Sequence, residues 1–218
     1  MDFENIYKSR KNILNMLKLR GFDISKYENQ SKEELNILFI NHHSTKKILP
    51  EIESLDIFIE GKEYNILVKY ILIDKYRKNA LEKLNDTIYE NLLEYKDTCI
   101  YITKDYIVKD KDTYRDSTLK KYIDKIFEIN KQFIQIFSLN SLLYDITKHD
   151  LTPDCRILND KEKEILLNKY SIVEKDLPNI LVNDALGSIY GVKVGDIIEE
   201  TISSVTAGIS KFYRLCIP

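Results

Sequence analysis

Asp56, Glu60 and Lys62 come nearer to a reaction centre, by residue type and spacing, than any other set in this 218-residue chain. Two carboxylates that hold Mg²⁺, with a lysine to orient or activate water, are what a metal-dependent nuclease needs. The placement argues against that chemistry. Glu60 and Lys62 fall in "EGKE", a glycine-centred polar link between two β-prone runs, where turn chemistry alone accounts for them. Asp56 stands too close in sequence to come from a neighbouring strand. His42 and His43 are adjacent near the end of a helix, a position that favours capping or solvent exposure, and no oriented partner is identifiable. Cys99, Cys155 and Cys216 show no CxxC spacing and build no zinc framework with the three histidines, so reduced, mostly buried thiols are expected. There is no Gly-rich phosphate loop, Ser-His-Asp order or Cys-His pair. No catalytic residue, metal or cofactor is expected.

Basic residues cluster at Lys8, Arg10 and Lys11, at Lys75, Arg77 and Lys78, and at Lys120 and Lys121, each offset by nearby acids such as Asp74 and Asp124. Solvated helix faces are the expectation, with weak, non-specific phosphate contact as the functional alternative. The formal net charge of −2 excludes a polyelectrolyte partner of nucleic acid. Residues 141–218 carry 9 Lys+Arg against 12 Asp+Glu, and residues 1–140 carry 24 against 23, so neither part is a free-standing DNA binder. With 44% hydrophobic and 31% charged residues and four prolines, the chain folds. No window approaches the ~18 uninterrupted apolar residues of a membrane span. "MDFENIYKSRKN" lacks a signal-peptide core, and an intracellular protein is expected.

The elements that position these residues follow from periodicity. A helix over 3–20 puts Phe3, Ile6, Tyr7, Ile13, Leu14 and Leu17 on one stripe and stops at Gly21. Ser31 and Glu34 form a capping box that opens a second helix. "LDIFI" (55–59) and "YNILVKYILI" (64–73) predict a hairpin. A helix over about 76–93, a strand at 98–103, a helix over 118–129 and a strand at 132–138 follow, and the last two strands should be parallel neighbours. This alternation predicts an α/β layered domain over 1–140, a short mixed sheet with flanking helices. After residue 140 the order changes. Asn159 and Glu162 cap a helix, a short helix lies near 184–190, and "DIIEETI" with "FYRLCI" predict a closing hairpin. Residues 141–218 read as a small α+β domain.

The C-terminal third resembles the assembly domain of the fifth subunit shared by eukaryotic-type RNA polymerases I, II and III, a domain that stands alone as a short polymerase subunit in archaea. The matching series is Ile146, Thr147, His149, Leu151 and Pro153; Leu166, Leu167 and Tyr170; Leu177-Pro178; Asp184; Gly191; Gly195-Asp196; Ser204; Thr206-Ala207-Gly208; and Tyr213-Arg214. Residues 5–20 and the following "GFDIS" resemble the family's jaw domain more faintly. The resemblance implies a non-catalytic subunit of DNA-directed RNA polymerase. Its C-terminal assembly domain docks on the largest subunit and its jaw lies beside downstream DNA, with weak DNA contact. It implies partner-binding roles for His149, Pro153, Leu177, Pro178, Thr206, Ala207, Gly208, Tyr213 and Arg214, though packing within the domain accounts for the same residue types. The alternatives are a free transcription regulator that binds polymerase reversibly and a Mg-dependent nuclease.

Two stretches depart from the family. Ala185-Leu186-Gly187-Ser188 stands where the family usually has Pro-Val-Ala-Arg, and Glu199-Glu200 where it tends to be basic, so a changed partner surface is expected there. This divergence, with abundant Ile, Lys, Asn and Tyr from AT-rich coding, points to a virus-encoded member. Such a member belongs in the virion and host cytoplasm, and a cellular one in the nucleus.

Overall fold

Helices alternating with short apolar strands dictate layered packing, and the computed structural model of the chain has it in two units, Met1–Tyr144 and Asp145–Pro218. The structure describes residues 3–44, 49, 51–72, 78–94, 96–104, 118–204 and 208–218. None of the described helices is long and apolar enough to cross a membrane.

The first unit runs α1 (Phe3–Leu19), α2 (Ser25–Glu28), α3 (Lys32–Ser44), β1 (Ile57–Ile59), β2 (Ile66–Ile71), α4 (Lys78–Asn91), β3 (Thr98–Thr103), α5 (Thr118–Asn130) and β4 (Phe133–Ser138). The sheet order is β1-β2-β3-β4. β1 pairs antiparallel with β2, and β2, β3 and β4 are parallel, so the expected hairpin and the expected parallel pair are both present. β2 and β3 are buried along their whole length, as strands of a parallel sheet covered on both faces must be. One face packs Leu67, Ile71, Cys99, Tyr101 and Ile134 against Leu81, Leu84 and Ile88 of α4 and Ile126 of α5. Tyr70 points to the other face, beside Ser9 and Arg10 of α1.

The predicted box at Ser31 forms. Ser31 Oγ accepts from the Glu34 amide at 3.2 Å, and Glu34 Oε2 accepts from the Ser31 amide at 3.0 Å. In the β1–β2 link a Cβ on Gly61 would stand 2.1 Å from the Tyr64 carbonyl oxygen and 2.7 Å from the Phe22 ring, so only glycine fits.

Arg10 departs from the solvated helix face expected of it. It is 2% exposed, donating from Nη1 to the Leu55 carbonyl at 2.5 Å and from Nε and Nη2 to Gln30 Oε1 at 3.3 and 3.0 Å. A guanidinium tolerates such burial because its donors reach several acceptors at once. Lys8, Lys11 and Lys121 are exposed as expected. Lys75 and Arg77 lie outside the described residues, as do the side chains of Lys78 and Lys120.

The second unit contains β5 (Asp154–Ile157), α6 (Asp160–Tyr170), β6 (Asn179–Leu181), α7 (Ala185–Tyr190), β7 (Ile197–Ser204) and β8 (Gly208–Ile217). Its sheet order is β5-β7-β8-β6, with β6 parallel to β8 and the other pairs antiparallel. The closing hairpin was legible in the sequence. The β5 strand was not, because its "DCRI" is half polar and pairs with residues more than forty positions away. One core joins Leu158, Leu166, Leu177 and Ile197 with Tyr213 and Leu215; another joins Ile180, Val192, Ile198 and Cys216 with Cys155 and Tyr190. Asn159 and Glu162 complete the predicted capping box, and Asp184 caps α7 by accepting from the Leu186 and Gly187 amides.

Candidate functional site

The residues singled out for nuclease chemistry are not brought together. Glu60 and Lys62 are exposed in the link. Asp56 is buried, and its carboxylate accepts from Lys69 Nζ at 2.7 Å and from the Glu53 and Tyr70 amides at 2.8 and 3.1 Å. Lys69 also lies 3.3 Å from Glu53 Oε1, and His42 Nδ1 lies 2.7 Å from Glu53 Oε2. His42 is 8% exposed, which corrects the expectation of a solvent-facing or capping histidine. Burial raises the Asp56 pKa above the usual carboxylate range despite Lys69. For Glu53 burial acts the same way, but the His42 bond and the Lys69 charge outweigh it and hold that carboxyl low. This cluster ties α3, the segment before β1, and β2 together. It is closed to substrate, and no group of three His, Cys, Asp or Glu among the described residues is placed to hold a metal. The three cysteines are free thiols, each pushed up to about 12 by burial, so none is a poised nucleophile.

The residues assigned to partner binding lie along the second unit. In the closing hairpin Glu199 stands opposite Tyr213, and Glu200 opposite Phe212. Strand alternation sends the two acids to opposite faces. Glu199 Oε1 accepts from Arg156 Nε at 2.8 Å and Lys211 Nζ at 3.0 Å, and Oε2 accepts from the Tyr213 hydroxyl at 3.0 Å. The Arg156 bond, with those of Lys211 and Tyr213, holds the Glu199 carboxyl down at about 2. Burial, then the bond to Glu199, pushes Tyr213 up to about 12. Arg214 Nε donates to Glu200 Oε2 at 3.2 Å. Glu199 and Glu200 are 5% and 4% exposed, so the acidic departure from the family is absorbed inside the unit instead of changing its surface.

Tyr213 therefore serves the unit's own core and Glu199. Arg214 keeps a side chain 42% exposed. Gly208 has φ +68° with nothing within 4 Å of an added Cβ, so backbone conformation, not crowding, demands glycine there. Thr206 and Ala207 lie outside the described residues. Leu177 is buried at 8% in the α6 core, whereas Pro178 is exposed and its carbonyl accepts from the Leu215 amide.

His149 is exposed and Pro153 half-buried. His149 Nδ1 accepts from the Leu151 amide, Thr152 Oγ1 donates to the Ile146 carbonyl, and the Asp145 carboxylate accepts from Thr147. These bonds shape a loop that presents Leu151 at 86% exposure. On the hairpin Ile209 and Phe212 are 74% and 51% exposed. Their exposure was invisible in the sequence, where apolar strand residues read as core.

The RNA polymerase Rpb5 C-terminal domain family matches residues 144–216, the span that carries this geometry. The archaeal "DNA-directed RNA polymerase subunit Rpo5" of Pyrococcus horikoshii is 43% identical over 74 residues, 34% of this chain and 90% of that protein. This chain belongs to the RNA polymerase subunit 5 family. "DNA-directed RNA polymerase V subunit 5A" of Arabidopsis thaliana is 26% identical over 88% of this chain and 79% of its own length. "DNA-directed RNA polymerases I, II, and III subunit rpabc1" of Dictyostelium discoideum is 34% identical over 45% of this chain and 50% of its own length. Subunit 5 is a non-catalytic part of DNA-directed RNA polymerase, in keeping with the resemblance read from the C-terminal third.

Proposed function

We propose that the second unit is an assembly domain that docks this subunit on the largest subunit of a multisubunit RNA polymerase, and that the first is a jaw beside downstream DNA. The family match over 144–216 carries this reading. A nearly complete archaeal subunit corresponds to about a third of this chain, which favours a self-sufficient assembly role for that part. The docking face of this reading includes His149, Pro153, Pro178, Thr206, Ala207, Gly208 and Arg214. Leu151, Ile209 and Phe212 supply exposed apolar area of the kind a stable interface buries. Tyr213 and Leu177 support that face from within. Exposed Lys8 and Lys11, three apart on α1, suit weak phosphate contact. Divergence and AT-rich coding favour a virus-encoded subunit.

The test is affinity purification of the tagged full chain from its native cell or infection, with subunit stoichiometry by mass spectrometry. One copy per polymerase, retained through a salt wash, is expected. Phe212→Asp and Ile209→Asp should each cut retention at least ~10-fold, the cost of about 1.4 kcal/mol at an interface, with circular dichroism unchanged. Substoichiometric, readily exchanged binding would mark a free regulator. An eluate without polymerase would sink the assembly role.

A further inference from the structure

The Tyr27 hydroxyl is bonded twice to one backbone residue. It donates to the Phe58 carbonyl at 3.0 Å and accepts from the Phe58 amide at 3.1 Å. Phe58 is the central residue of β1, the edge strand of the first sheet. In an antiparallel pair, successive residues alternately turn their amide and carbonyl toward the partner strand and away from it. In β1 it is Phe58, opposite Leu67, that turns both groups outward. One side chain thus occupies both hydrogen-bonding groups that this edge offers. Beside it the Leu55 carbonyl is taken by Arg10, whose guanidinium lies over the Tyr27 ring at 5.7 Å from its centroid. The two seals therefore brace each other.

Such an edge is self-complementary. Two copies related by a two-fold axis would set Phe58 opposite Phe58 and exchange both N–H···O bonds without a third partner. The run Leu55-Asp56-Ile57-Phe58-Ile59 has no lysine or proline, two devices that discourage edge pairing, and its one charge is held by Lys69. We propose that Tyr27 is a plug: its hydroxyl occupies the site at which a second copy of this chain would pair along β1. The edge opens to self-association when that side chain is lost. The inference goes beyond the polymerase reading and does not depend on it.

The variant Tyr27→Ala, made in the full chain, removes the hydroxyl together with the ring that would otherwise still stand at the β1 edge. In dilute solution the Phe58 amide should exchange roughly 5- to 10-fold faster than in the unsubstituted chain, the worth of one hydrogen bond. On concentration it should regain protection as a dimer appears by sedimentation velocity. Adding Phe58→Pro, which removes the donor and blocks pairing, should return the variant to the unsubstituted chain's sedimentation. Tyr27→Ala that associates no more than the unsubstituted chain would overturn the proposal. So would association without concentration-dependent protection at Phe58, a readout that needs no proline variant. Association that survives Phe58→Pro would also overturn it, by placing the contact elsewhere.

Discussion

Lys69 sits at 1% exposure between the carboxylates of Asp56 and Glu53, and the three charges are acceptable only as a set. Removing one partner of a buried ion pair strands the other, at a cost of about 3–5 kcal/mol. Lys69→Met should therefore lower the unfolding free energy of the full chain, from urea titration, by that amount, followed by circular dichroism because the chain has no tryptophan. A loss under about 1 kcal/mol would mean that water reaches the carboxylates. None of this was legible in the sequence. Lys69 there is a polar interruption of an apolar strand, and His42 a helix-end residue. Their partners in the 51–56 segment come into reach only when β1 pairs with β2 and α3 packs nearby. Side-chain type announces that a charge exists, and tertiary packing decides whether it is solvated.

At the scale of elements, much of the family signature in the second unit is a folding signature. Asp184 caps α7, Leu166 and Leu177 are core, and Asp196 accepts from the Lys193 amide. These are local or periodic features, which is why the resemblance could be read from one chain. The Glu199 network is not local, since it joins β5, β7 and β8. Its pH dependence has a definite sign. Glu199 titrates near 2 in the folded chain and near 4.3 when unfolded. Its stabilisation is thus complete above about pH 4.3 and disappears as the pH falls toward 2. Glu199→Gln should cost about 1–2 kcal/mol at neutral pH, as charge-assisted bonds weaken. It should also flatten the acid limb of a stability profile measured between pH 5 and pH 2. An unchanged acid limb would show that other carboxylates govern it.

At the scale of the whole molecule, 33 Lys and Arg balance against 35 Asp and Glu, so this subunit lacks the charge to hold DNA by itself. Anisotropy titration of labelled duplex with the isolated chain should give a Kd weaker than ~10⁻⁴ M at physiological salt, outside even the non-specific range of DNA-binding proteins. Tighter binding would make this chain an independent DNA clamp. If the subunit docks as proposed, association with polymerase should instead persist at high salt, because apolar burial at the hairpin and the Leu151 loop would not be screened.

By itself the sequence determined every described α-helix but α2, the hairpins, the parallel pair in the first unit and the membership of the C-terminal third in its family. Those follow from caps, periodicity and short apolar runs, all of which act over a few residues. Only the tertiary structure decided that β5 and β6 flank the closing hairpin, that Glu199 and Glu200 are covered by their own unit's cations, and that Tyr27 closes the β1 edge. Each of those depends on groups tens of residues apart meeting in space, where burial makes an unpaired charge or amide too costly to leave.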